Sequence, residues 1–206
     1  MPNMTAFISR CFARRPERLH AGLLLLCALV LFALASTGAR AETRMRSAEI
    51  VRGDTGYVLN ADIELDLNPR LIDAVSRGIS LYFTTQLVIE QPRWYWLDKV
   101  VVERTLDYRL YYHAITRSYR LSIGSIHQSF DDLESAVRTM TRVRNWYVAD
   151  FDALETGASH QVSIRFRLDT SQLPKPFQVT AIGSSDWNVG TEWLHWTFLP
   201  GVAGFR

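Results

Sequence analysis

Four segments of this chain alternate apolar and polar residues with a period of two. That alternation specifies antiparallel strands with one buried face and one wet face. In the first, Tyr57, Leu59, Ala61, Ile63, Leu65 and Leu67 share one face, and Asn60, Asp62, Glu64 and Asp66 share the other. Ile79, Leu81, Phe83, Leu87 and Ile89 repeat the period. So do Val100, Val102, Leu106, Tyr108, Leu110 and Tyr112, and later Val162, Ile164, Phe166 and Leu168. Shorter strands are expected over 49–52, 119–124, 177–182 and 193–198.

Two helices interrupt the strands. Asn68 is a good N-cap ahead of Pro69, and Gly78 stands where a C-cap belongs, with Leu71, Ala74 and Val75 as the apolar stripe between them. For the second helix, Ser129 and Asp132 have the spacing of a capping box. Leu133, Ala136, Val137, Met140 and Val143 then recur at helical spacing, and Arg138, Arg142 and Arg144 suit the negative end of the helix dipole. The predicted fold is α+β, mainly antiparallel β, in a sandwich-like arrangement with two helices.

Residues 1–41 read as a secretory signal. Arg10, Arg14, Arg15 and Arg18 precede an apolar stretch from Ala21 to Ala35, and Ala39 and Ala41 supply the small residues a signal peptidase reads. The apolar stretch falls short of the roughly 20 residues a spanning helix needs. Cleavage after Ala41 is expected, leaving residues 42–206 as a single periplasmic domain; an uncleaved inner-membrane anchor is the alternative. Both cysteines, Cys11 and Cys27, lie in the signal, so thiol catalysis and a disulfide-linked partner are excluded from the mature chain. The signal also takes away five arginines and one glutamate, leaving 18 basic against 20 acidic residues. The electrostatic footprint of a nucleic-acid partner goes with it.

No metalloprotease, hydrolase-elbow, phosphate-loop or dinucleotide motif is present. The histidines of the mature chain, His113, His127, His160 and His195, lack ligand spacing, so neither a metal nor a cofactor is expected. Asp131 and Asp132 suit a helix start. Asp62, Glu64 and Asp66 on one strand, and Arg165 and Arg167 on another, would form a solvated ion-pair ladder if those strands were adjacent; Glu103, Asp107 and Arg109 share one face of a third. No catalytic residues are assigned.

Aromatic residues are the positive feature. Pro92-Arg93-Trp94-Tyr95-Trp96-Leu97-Asp98 stands at a strand entrance, and Trp187, Trp193, Trp196 and Phe198 close the chain. Tryptophans at strand ends plug the open edges of a β core. The functional readings are a partner hot spot, built from Arg93, Trp94, Tyr95, Trp96, Trp187, Trp193 and Trp196, or a membrane-interface contact. An outer-membrane barrel is disfavoured by the capped helices, the proline breaks and the terminal Phe205-Arg206.

The ordered series of a signal, Leu59 to Leu67, Asn68-Pro69, Pro92 to Trp96, Tyr108-Arg109-Leu110, Ser129-Phe130 and Arg167 to Pro176 resembles the family of domain of unknown function DUF4390. The resemblance implies a small exported proteobacterial protein with no catalytic residues to transfer. Family members are often encoded beside a nitrogen-type sensor kinase, which implies a sensory or envelope role. The function expected is a non-enzymatic periplasmic binding or accessory module with a protein partner in the envelope and at most transient membrane contact. The alternatives are a periplasmic enzyme with an unrecognised site and a peripheral membrane-interface protein.

Overall fold

A computed structural model of the chain describes residues 43–95 and 97–201. Residues 1–41, expected to be a secretory signal, together with Trp96 and Phe205 lie outside the described residues. Residues 42–206 form one compact unit by themselves, and every residue of the hydrophobic core lies within it.

The expected α+β architecture, mainly antiparallel, is present as two sheets. The smaller has the order β1–β2–β7, from Arg44–Arg52, Tyr57–Glu64 and Arg142–Ala149. The larger has the order β6–β5–β4–β3–β8–β9, from Ile126–Phe130, Ser118–Ile123, Lys99–His113, Leu81–Gln91, His160–Leu168 and Leu194–Phe198. Burial follows the sequence period: Tyr57, Leu59, Ala61 and Ile63 face inward on β2. On β3 and β8 the register places Phe83 beside Leu168, Leu87 beside Ile164 and Ile89 beside Val162, all buried. Phe83 and Phe166 stack with centroids 5.3 Å apart, and Tyr57 of the small sheet meets Phe198 of the large one edge-on at 5.5 Å. One core therefore joins the two inner faces.

Helix α1, Pro69–Ser76, forms as its caps predict. The Asn68 side chain accepts from the Leu71 N–H at 3.0 Å, and Leu71, Ala74 and Val75 are buried. Gly78 takes φ 86, the left-handed conformation that ends a helix at little cost in glycine.

Four expectations are corrected. Helix α2 is Leu133–Met140, capped by Asp132, whose carboxylate accepts from the N–H and hydroxyl of Ser135. Ser129 cannot cap it, because it is paired with Arg120 inside β6. Val143, Arg142 and Arg144 do not extend this helix; they open β7. The β7 alternation is hidden in the sequence by a bulge in which Arg144 and Asn145 oppose Asn60 alone, with Asn145 at φ 50 and its N–H donated to the Asn60 side chain.

The segment 177–182 is not a strand. It lies in a third helix, α3, Lys175–Ala181, preceded by a short turn at Thr170–Gln172 and followed by another at Ser185–Trp187. Pro174 and Pro176 pre-set its first turn, and the carbonyl of Pro174 accepts from the Phe177 N–H at 2.8 Å. Phe177 and Ala181, four residues apart, are half-buried against the core while Val179 and Ile182 are exposed, which is the spacing of a helix and not of a strand. Val100, expected to share the buried face of β4 with Val102, instead points to solvent. A bulge across Ile89 and Glu90 inserts Val101 between them and flips the period.

The expected β2–β8 ion-pair ladder does not form, because those strands belong to different sheets. Within the small sheet, Glu64 pairs with Arg44 and Arg46, and Asp62 pairs with Arg144.

Candidate functional site

β3 and β4 form the longest pairing in the molecule's larger sheet, running from Leu81 opposite Leu110 to Gln91 opposite Lys99. The connection, residues 92–98, carries the first aromatic group. Pro92 has no N–H to extend the ladder, and the Arg93 N–H donates to Asp98 Oδ1 at 3.2 Å, which closes the turn locally. At its base, Gln91 Nε2 donates to Glu155 Oε2 at 2.8 Å. The hairpin thus stands at the end of the sandwich that also holds the 150–159 loop, where Gly157 donates to the Pro200 carbonyl.

Every described residue from Pro92 to Val100 is exposed, so the tip projects beyond the packed strands. Trp94 is 94% exposed, Leu97 81%, Tyr95 67% and Val100 51%. Trp94 and Tyr95 touch edge to face at 5.0 Å but neither is covered. Burying such side chains is worth about 1.5–3 kcal/mol each, and folding has left that free energy uncollected. Arg93 and Lys99 flank Trp94, Tyr95 and Leu97 and form no ion pair among the described residues.

The second aromatic group is placed differently. Trp187 is 2% exposed, packs against Phe177 and belongs to the core, and its indole N–H meets no acceptor among the described residues. Trp193 lies under the Arg165 guanidinium at 4.5 Å and stacks on His195. Trp196 is half-buried against the core beside Val162. Each of these rings is thus at least partly covered, whereas Trp94 and Tyr95 of the hairpin are exposed. Sequence reasoning did not include Leu97 and Val100 among the candidate residues; their exposure follows from the turn and the bulge.

The polar groups do not converge on chemistry. Ser163 Oγ lies 2.7 Å from His195 Nδ1, but the two are direct cross-strand partners and no described carboxylate orients the imidazole. A nucleophile of this kind needs both a base and an orienting group. Arg165 donates to Gln86, and Arg109 lies against Ser80, Tyr82 and Tyr111.

Clefts lie elsewhere among the described residues. One of about 640 Å³ lies between α1 and α3, with Asn68, Arg70, Asp73 and Trp187 in its lining. Another, of about 780 Å³, is lined by Arg46, Asp62, Glu64, Arg138, Arg142 and Arg144 among others. Asp107, Arg109, His113, Arg165 and Arg167 line neither. The carboxylates of the charged cleft serve ion pairs. Hydrogen bonds from Arg46 and Arg44 hold Glu64 down to about 2, opposite to the upward shift a general acid needs. No group of three or more His, Cys, Asp or Glu able to hold a metal occurs among the described residues.

No curated protein and no solved structure is significantly similar to this chain. A family match spans the described fold from before β1 into β9, over residues 40–197, and the chain therefore belongs to the family of domain of unknown function DUF4390.

Proposed function

We propose that this chain is an exported, non-enzymatic binding module of the bacterial cell envelope that docks on a membrane through the tip of its β3–β4 hairpin. The observation that carries the reading is the projecting tip itself, with Trp94, Tyr95 and Leu97 exposed on one turn and Val100 exposed at the start of the strand that follows. Large apolar side chains grouped on a surface mark an interaction site. The export signal supplies the compartment, and the scattered polar groups give no reason to prefer an enzyme. The gene neighbourhood of the resembling family suggests that the module serves a membrane-embedded sensor.

The test uses residues 42–206, which hold the whole core, mixed with washed inner membranes and sedimented. The wild-type domain is expected in the pellet and a Trp94→Ala/Tyr95→Ala variant in the supernatant. Equal sedimentation of a folded variant, or no sedimentation of the wild type, would sink the hairpin as the docking surface.

A further inference from the structure

Resting on the docking reading, we infer that the hairpin tip seats in the lipid–water interface of a membrane carrying anionic headgroups. Three observations converge on lipid as the occupant. The first is shape. Protein hot spots draw their strength from anchors enclosed in a complementary, desolvated pocket. Here the anchors project from a turn in which every described residue is exposed, and the surface that receives them must conform to them. A bilayer interface does so without a preformed pocket.

The second is the side-chain set. Indole and phenol rings settle at headgroup depth, where one edge is apolar and the other wet. Trp94 and Tyr95 provide them, and Leu97 and Val100 add aliphatic surface at the same tip.

The third is charge order. Arg93 precedes Trp94, Tyr95 and Leu97 and Lys99 follows them, both exposed and without an ion pair among the described residues. Asp98, the acid of the turn, already accepts from the Arg93 N–H. That bond from a neutral N–H leaves the carboxylate charged, so Arg93 and Lys99 against Asp98 give residues 92–100 a formal net of +1, on a domain whose formal charge, 18 basic against 20 acidic residues, is negative. Long basic side chains reach headgroup phosphates while the rings beside them lie deeper. A single shallow turn of this kind gives reversible attachment.

The experiment measures partitioning of residues 42–206 onto protein-free unilamellar vesicles, either of phosphatidylcholine alone or with phosphatidylglycerol added. Binding is expected to favour the anionic vesicles and to fall as salt rises. Trp94→Ser/Leu97→Ser should weaken it by about tenfold or more, from the apolar burial lost. Arg93→Gln and Lys99→Gln should each cost about fivefold on anionic vesicles alone. Trp94→Phe should retain most of the binding while losing much of the blue shift in tryptophan emission on vesicle addition, which locates the contact at the tip. A wild-type domain that ignores both vesicle types, or a folded Trp94→Ser/Leu97→Ser variant that binds as the wild type does, overturns the lipid assignment. If vesicles are ignored while washed inner membranes still bind through the hairpin, and protease treatment of those membranes abolishes binding, the partner is a protein and only the lipid step falls. Loss of both vesicle and membrane binding removes the docking reading as well.

Discussion

Two tryptophans proposed from sequence as members of one binding surface should separate completely in their effect on stability. A tryptophan side chain presents roughly 200 Å² of surface. Trp187 is 2% exposed, so nearly all of that is buried. At about 25 cal/mol per Å² its burial is worth up to about 5 kcal/mol. Its indole N–H, however, is buried without an acceptor among the described residues, and such a group costs about 1–3 kcal/mol. Trp187→Ala removes both, for a net loss of about 2–4 kcal/mol. Trp94 is 94% exposed; the covered remainder of roughly 12 Å² is worth about 0.3 kcal/mol. The assay is urea unfolding of residues 42–206, with the slope checked for constancy so that midpoint shifts report stability. A loss above about 1 kcal/mol in Trp94→Ala, or below about 0.5 kcal/mol in Trp187→Ala, would refute the claim that burial sorts these residues into tip and core.

Other consequences follow from single contacts. Asn68→Ala removes the cap on Leu71 and the hydrogen bond from Asn68 Nδ2 to the Asp186 carbonyl; chemical denaturation should show a loss of about 1–2 kcal/mol, and an unchanged midpoint would mean the cap is dispensable. Glu64 is lowered from 4.5 to about 2 by hydrogen bonds from Arg46 and Arg44. Its stabilising contribution is therefore present above pH 4.5 and fades as pH falls toward 2. Glu64→Gln should flatten that part of the acid unfolding curve, and a curve superimposable on wild type would contradict the assignment. Burial, opposed in part by the hydrogen bond from Thr85, pushes the Tyr108 phenol up from 10 to about 12. Its neutral form stabilises the fold below pH 10, and that contribution is lost as pH rises from 10 through 12. In an ultraviolet titration, Tyr108→Phe should delete the latest-ionising phenol; a spectrum that instead loses an ordinary phenol would show the ring to be hydrated.

How much of this molecule was legible from its residues depends on how local the deciding interaction is. The strands β2, β3 and β8 were readable because each keeps a strict period of two, and a one-residue slip would turn every apolar side chain outward. Helix α1 was readable because Asn68, Pro69 and Gly78 carry their signals within the helix itself. β7 was not, since its bulge at Asn145 breaks the period that would have revealed it. β6 is a short edge strand whose residues are mostly exposed, so no buried face marked it. α3 imitates a strand in its alternation, and the proline-set first turn together with the four-residue spacing of half-buried Phe177 and Ala181 decided against it.

The candidate site divides along the same line. The residues by themselves determined a β-rich domain without cysteines beyond residue 41, lacking a recognisable catalytic motif and carrying two tryptophan-rich groups. Composition and period suffice for that, because they record which side chains avoid water and how often. Only the tertiary structure decided that Trp187 joins the core, that Trp193 stacks beneath Arg165, and that Trp94 stands in solvent. Local sequence is equally rich in tryptophan in both places. Burial is set by what arrives from elsewhere in the chain: Phe177 comes to meet Trp187, whereas the turn between β3 and β4 runs past the last paired residues and nothing in the described fold reaches it.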